Sequence, residues 1–306
     1  MSGAGGPCPR HRPVRRLVPA LAALALLAPS AGAAPLFLWE ATGPQAKVTM
    51  AGSIHVGRAD FFPLPAPFGE AFAAAPVLAV ELDMTAPANQ ARIMQLMVGR
   101  GLLPDSLTLR DRLEPQNWDQ LRQAAAESGL PQAAYERMQP GIVTMMIVMQ
   151  AYLRQGLDPE LGIDKHFLDT AHAEGRTVRE LETVESQMAL FLDLDDELDD
   201  VLVAHTLADL GRLGELTDAM IGAWRTGDVA GLDLLLEEQA GTDPRLVAWY
   251  RRLLDDRNAA MADSVDAWLR GDRDVFMVVG AGHFSGEDGI VQRLERRGWT
   301  VTQRED

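Results

Sequence analysis

Strand-forming runs gather at the two ends of this chain, and the long stretch between them carries helical periodicity. A sheet built from such runs must draw its strands from both ends of the polypeptide, leaving the helical stretch as an insertion. Leu36 to Ala41 and Lys47 to Ala51 are short β-prone runs around a Gly43-Pro44 turn, which predicts a hairpin. Pro76 precedes Val77-Leu78-Ala79-Val80-Glu81, whose continuous apolar run is the pattern of a buried strand. Arg176 to Leu181, following Gly175, predicts a fourth strand. Val275 to Val279 is the strongest strand signal, and Trp299 to Gln303 is expected to close the sheet.

From about residue 85 to residue 270, apart from Arg176 to Leu181, the periodicity is helical. Gln90 to Gly101 is one expected helix, and Pro115 to Ser128 is another, with proline in its first turn. Ile142 to Leu153 is apolar almost all round, so it is expected to be buried, and it is too short to cross a bilayer. Its Met145, Met146 and Met149 read as filler of irregular core gaps, with a binding groove as the alternative. The acidic run Asp193 to Asp200 reads as a solvated helix start, because the glycine and terminal glutamate of a calcium loop are missing. The expected fold class is α/β: a central, mostly parallel sheet built from both ends of the mature chain, with a large helical insertion, in one domain over residues 34–306.

Residues 1–33 have a different character. Arg10, Arg12, Arg15 and Arg16 precede an apolar run from Leu17 to Ala28, followed by Ala31-Gly32-Ala33. This order is that of a secretory signal peptide cleaved near Ala33, with an uncleaved anchor as the alternative reading. The expected destination is the periplasm or the exterior, with no stable membrane span after cleavage. The chain's one cysteine, Cys8, lies in this segment. A mature protein without thiols excludes disulfides and zinc-thiolate sites, so any metal must be held by nitrogen and oxygen. With 28 Lys and Arg against 44 Asp and Glu, the formal charge of −16 argues against nucleic acid as a partner.

Several ionisable residues fall just beyond the carboxyl ends of expected strands, where open α/β sheets form their ligand crevice. Lys47 to Ala51 runs into Gly52-Ser53-Ile54-His55, and Val275 to Val279 runs into Gly280-Ala281-Gly282-His283. The Val77 strand ends at Glu81, and the Arg176 strand at Glu182. Two imidazoles and a carboxylate suit a divalent ion such as Mn, Co, Zn or Fe, which can activate water. Each residue alone is more simply structural; the repeat of strand then Gly-x-x-His at both ends of the domain favours a site. His166, His172 and His205 lie in helical stretches without partners one turn away and read as surface residues.

Ala51-Gly52-Ser53-Ile54-His55-Val56-Gly57, with Phe62-Pro63-Leu64-Pro65 and Val80-Glu81-Leu82-Asp83, resembles the opening blocks of the TraB/GumN (Tiki-like) family. Gly162-Ile163-Asp164, Leu181-Glu182-Thr183 and Gln187 are similar to its middle block, and Arg257-Asn258 and Val279 to Phe284 with Gly286 to its closing blocks. The resemblance implies a fold related to the erythromycin-esterase and ChaN-like proteins. It also implies metal-dependent peptide-bond hydrolysis, an activity established for the Tiki branch, and the expected partner is a peptide or small-molecule substrate. By that resemblance His55, His283 and Glu81 are metal ligands, and Glu81, Glu182 and Arg257 are catalytic. Glu81 is open between ligand and general base, Arg257 between oxyanion stabiliser and partner of a carboxylate, and Asp164 has no assigned role. The alternative is a non-catalytic extracytoplasmic protein that binds a peptide, haem or metal, as ChaN captures haem and TraB sequesters a peptide.

Overall fold

The computed structural model describes residues 1–3 and 34–306; the expected signal segment lies outside the described residues. Six strands form one sheet: β1 (Pro35–Thr42), β2 (Lys47–Ser53), β3 (Val77–Val80), β4 (Thr177–Glu180), β5 (Val275–Gly280) and β6 (Val301–Glu305). Their order across the sheet is β4-β3-β5-β2-β1-β6. β1 and β2 form the hairpin, in register from Leu38 opposite Ala51 to Thr42 opposite Lys47, and β6 pairs antiparallel with β1. The other three pairings, β2 with β5, β5 with β3 and β3 with β4, are parallel. The fold is α/β with a mostly parallel sheet, as expected.

The strand signals have simple physical causes. β3 and β5 sit in the middle of the sheet, and their continuous apolar runs are buried almost throughout. β4 and β6 form the two edges and alternate charged or polar residues with half-buried ones, which discourages pairing with another chain. Phe72, Phe167 and Phe276 interlock over the sheet, with ring centres about 5 Å apart in the closest pairs. A Phe side chain taken fully out of water contributes roughly 1.5–3 kcal/mol. These rings and the core strands around them fix the layer on which the site is built.

Helices fill the stretch between β3 and β5, interrupted by β4. They carry small cores of their own, one gathered around Trp118, Leu121, Tyr135 and Val143. The helix Pro140–Arg154 buries Ile142, Val143 and Ile147, whereas Met145 is exposed and, with Met149, lines a cleft. The reading of these two methionines as core filler is therefore corrected; Met146 does pack against a core cluster. The acidic run is not wholly solvated either. Asp195 caps the helix Asp196–Leu210, and Asp199 is buried against Arg112 at 2.7 Å. Among the described residues, no helix is long and apolar enough to cross a membrane.

Candidate functional site

Parallel pairing places the carboxyl ends of β4, β3, β5 and β2 side by side on one rim of the sheet. Val80 is level with Val278 and Glu180, and Ser53 is level with Gly280. Glu81, Glu182, His55 and His283 lie one to three residues beyond those ends. Four segments far apart in sequence thus deliver their side chains to one place.

Glu81 is the hub. Its Oε1 accepts the N–H of Gly280 at 2.7 Å and lies 3.6 Å from His283 Nε2 and 3.8 Å from His55 Nε2. Its Oε2 accepts from Arg257 at 2.5 Å and from Gln187 at 3.2 Å. Arg257 grips Glu182 with two parallel hydrogen bonds of 2.6 Å, a bidentate geometry, and donates to the carbonyl of Leu253. Gln187 also donates to Glu182, at 2.9 Å. Arg257 is thus placed as the partner of two carboxylates.

Each imidazole is held from behind. The side chain of Asn258 is fully buried, and its Nδ2 donates to the carbonyl of Asp288. Its Oδ1 is therefore the atom that faces His283 Nδ1, at 2.6 Å. An acceptor there requires Nδ1 to carry the proton, which leaves a lone pair on Nε2, the nitrogen turned towards Glu81. Asp164 lies behind His55, its Oδ1 3.2 Å from Nδ1 and otherwise without a partner. Asp164 comes so close because Gly162 precedes its helix: a Cβ at Gly162 would meet the carbonyl oxygen of His55 at 2.5 Å.

The charge states follow from these contacts. Asp164, more than any other influence, raises the pKa of His55 to about 9, and its ring is 57% exposed. Burial dominates at His283 and lowers its pKa to about 4, against the pull of Glu81. Burial also works against charge on Glu81, but His283, His55, Arg257 and the Gly280 N–H outweigh it and hold its pKa down at about 2. Above about pH 4, where His283 is uncharged, the ionised Glu81 rests on the charges of His55 and Arg257 and on the Gly280 N–H. Without an ion, the proton on His55 supplies positive charge beside the Glu81 carboxylate, and His283 alone keeps a free Nε2 lone pair.

Among the described residues, no group of three or more His, Cys, Asp or Glu side chains closes into a preformed metal centre. The donor chemistry nevertheless fits a divalent ion, with two imidazole nitrogens and one carboxylate oxygen turned towards the same space. Gly280 keeps that space open: a Cβ there would lie 3.1 Å from His55 Nε2 and 3.3 Å from Glu81 Oε1.

Comparison with known proteins places the chain. The model of the TraB/PrgY/gumN family matches residues 37–303. The chain belongs to this family. It is similar to the uncharacterized protein YbaP of Escherichia coli (strain K12), with 28% identity over 248 residues, 79% of this chain and 86% of that protein. YbaP of Shigella flexneri matches equally. No solved structure matches the chain.

All five residues singled out in the sequence, His55, Glu81, Glu182, Arg257 and His283, converge here, and Asp164 joins them. Asn258 was quoted only as a neighbour of Arg257 and Gln187 only as part of a block; neither had a stated role. A polar residue beside an arginine within helical periodicity was the available signal. Of the helical histidines, His166 and His172 are exposed as expected, and His205 departs, being half-buried with an acid one turn away. His172 meets the buried Asp83 at 2.7 Å, and His205 lies one helical turn from Asp209, at 3.4 Å, on the wall of the cleft. The ring of the exposed His166 rests against Phe62.

Proposed function

We propose that the chain is a metal-dependent hydrolase acting on an amide bond of a peptide or small molecule outside the cytoplasm. One observation carries this reading. Two imidazole Nε2 atoms turn to one oxygen of an ionised carboxylate, and an oxygen stands behind each ring at Nδ1, hydrogen-bonded in His283 and 3.2 Å away at His55. Outer partners of this kind orient histidine ligands and set their tautomer. A divalent ion held by His55, His283 and Glu81, whether Mn, Co, Zn or Fe, would polarise a carbonyl and acidify water.

The chain's own residues then divide the work. His283 offers its Nε2 lone pair, His55 would offer its own on releasing its proton as an ion binds, and Glu81 Oε1 faces the same space as ligand or as acceptor of a proton from water. Arg257 and Gln187 each donate both to Glu182 and to Glu81 Oε2, so they hold Glu81 in position. Periplasmic or secreted placement is supported by the basic, apolar and small-residue order of residues 1–33.

A second reading is capture of a peptide, haem or metal without turnover. It is favoured by the mutual saturation of Arg257 and Glu182, which leaves Glu81 no free acid beside it to relay a proton. Incubation of the mature protein with a peptide library, with and without added divalent ion, separates the two. Hydrolysis predicts ion-dependent fragments by mass spectrometry. Intact peptides recovered in complex with the protein would contradict it.

A further inference from the structure

The centre opens on a cleft of about 550 Å³, within the roughly 300–1,000 Å³ typical of small-molecule sites. Away from the centre its wall is made of helices. Met145, Val148 and Met149 come from the helix Pro140–Arg154, Met220 from Leu213–Arg225, and Leu236 from Val229–Ala240. Backbone groups inside helices already have partners. Several polar side chains of the wall are committed too, and Ser53 Oγ and Thr217 Oγ1, which lack partners, are buried beneath its surface. Thr144 Oγ1 donates to its own helix, Trp224 Nε1 to the carbonyl of Gly52, and Trp249 Nε1 to that of Leu190. Asp209, the acid of the wall away from the centre, faces His205.

Such a wall suits some occupants and penalises others. A peptide drawn into it would bury its own N–H and C=O groups with no strand edge to pair them, at roughly 1–3 kcal/mol for each unmet group. A hydrocarbon chain brings no polar atoms, and methionines adapt their shape to a flexible partner. Apart from the paired Asp209 and His205, the wall away from the centre is uncharged and complements an uncharged chain, while the charged residues of the centre stand where a polar head would sit. We infer that the substrate of this centre carries a single long aliphatic chain, which lies in the cleft with its head at His55, Glu81, His283 and Arg257. This rests on the reading of those residues as the reactive centre.

The test is calorimetric titration of the whole mature protein with octanoate, decanoate, dodecanoate and tetradecanoate, beside an unacylated peptide of Leu and Val. The affinity is expected to tighten about fourfold per added methylene until the cleft is full. Val148→Asp is expected to weaken tetradecanoate binding by about tenfold or more. Should that variant fail to fold, the wild-type series decides alone. Affinity independent of chain length, or tighter binding of the unacylated peptide, would overturn the proposal. The series is expected to persist in protein that proves inert as a hydrolase. That result would remove the hydrolase reading and uphold the chain site.

Discussion

Asn258 and His283 meet at 2.6 Å, Oδ1 to Nδ1, with both side chains buried. Because the amide's other end donates to Asp288, the contact fixes which nitrogen of His283 carries the proton. Replacing Asn258 by Ala frees the ring to turn and to change tautomer. Divalent-ion affinity, measured by competition with a chelator, is expected to fall about 10–100-fold. An unchanged affinity would show that Asn258 does not orient the ring.

Gly280 is the second control on the same space. Its backbone, at φ −50°, is open to any residue, so alanine introduces no strain there. The added methyl would sit 3.1 Å from His55 Nε2 and 3.3 Å from Glu81 Oε1. Gly280→Ala is expected to fold with a near-normal circular dichroism spectrum and to lose its divalent ion. A variant that keeps the ion would show that the space between these atoms is not where it binds.

Arg257 bridges Glu81 and Glu182, and all three side chains are at most 14% exposed. Arg257→Met leaves two buried carboxylates without their cation. Breaking a buried pair in this way costs about 3–5 kcal/mol of stability. Denaturant unfolding checks the magnitude. Adding Glu182→Gln is expected to recover part of the loss, since one uncompensated charge is removed, and the absence of any recovery would argue against direct coupling.

Asp199 gives a pH dependence independent of the site. Burial, partly offset by Arg112, raises its pKa to about 6. The folded state therefore binds this proton more tightly than the unfolded state, whose carboxyl has an ordinary value near 3.9. The stability it contributes is fully present below about pH 4 and is lost as pH rises through about 6. Compared with Asp199→Asn, wild type is expected to lose on the order of 3 kcal/mol across that window. Parallel stability curves for the two proteins would refute it.

The sheet was legible because its strands announce themselves by composition: β3 and β5 are apolar runs that only a central parallel strand tolerates. Their adjacency was not legible, since pairing β2 with β5 joins segments more than two hundred residues apart and periodicity carries no such information. The site was legible as residue types at strand ends, and the resemblance to family motifs named them. What sequence could not convey was the contact pattern. Met145 and Met149 have the spacing of core residues but face a cleft, Asp199 looks like surface charge but is buried, and Asn258 acts through a bond that only the packed helix creates.

The proposed chemistry requires one divalent ion held between His55, Glu81 and His283. Elemental analysis of the mature protein, purified without chelator and compared with His283→Ala, measures this directly. The predicted result is close to one equivalent of a single divalent metal per chain in wild type, and none in a variant that remains folded. A folded wild-type protein with no stoichiometric divalent ion after equilibration with Mn, Co, Zn and Fe would contradict it.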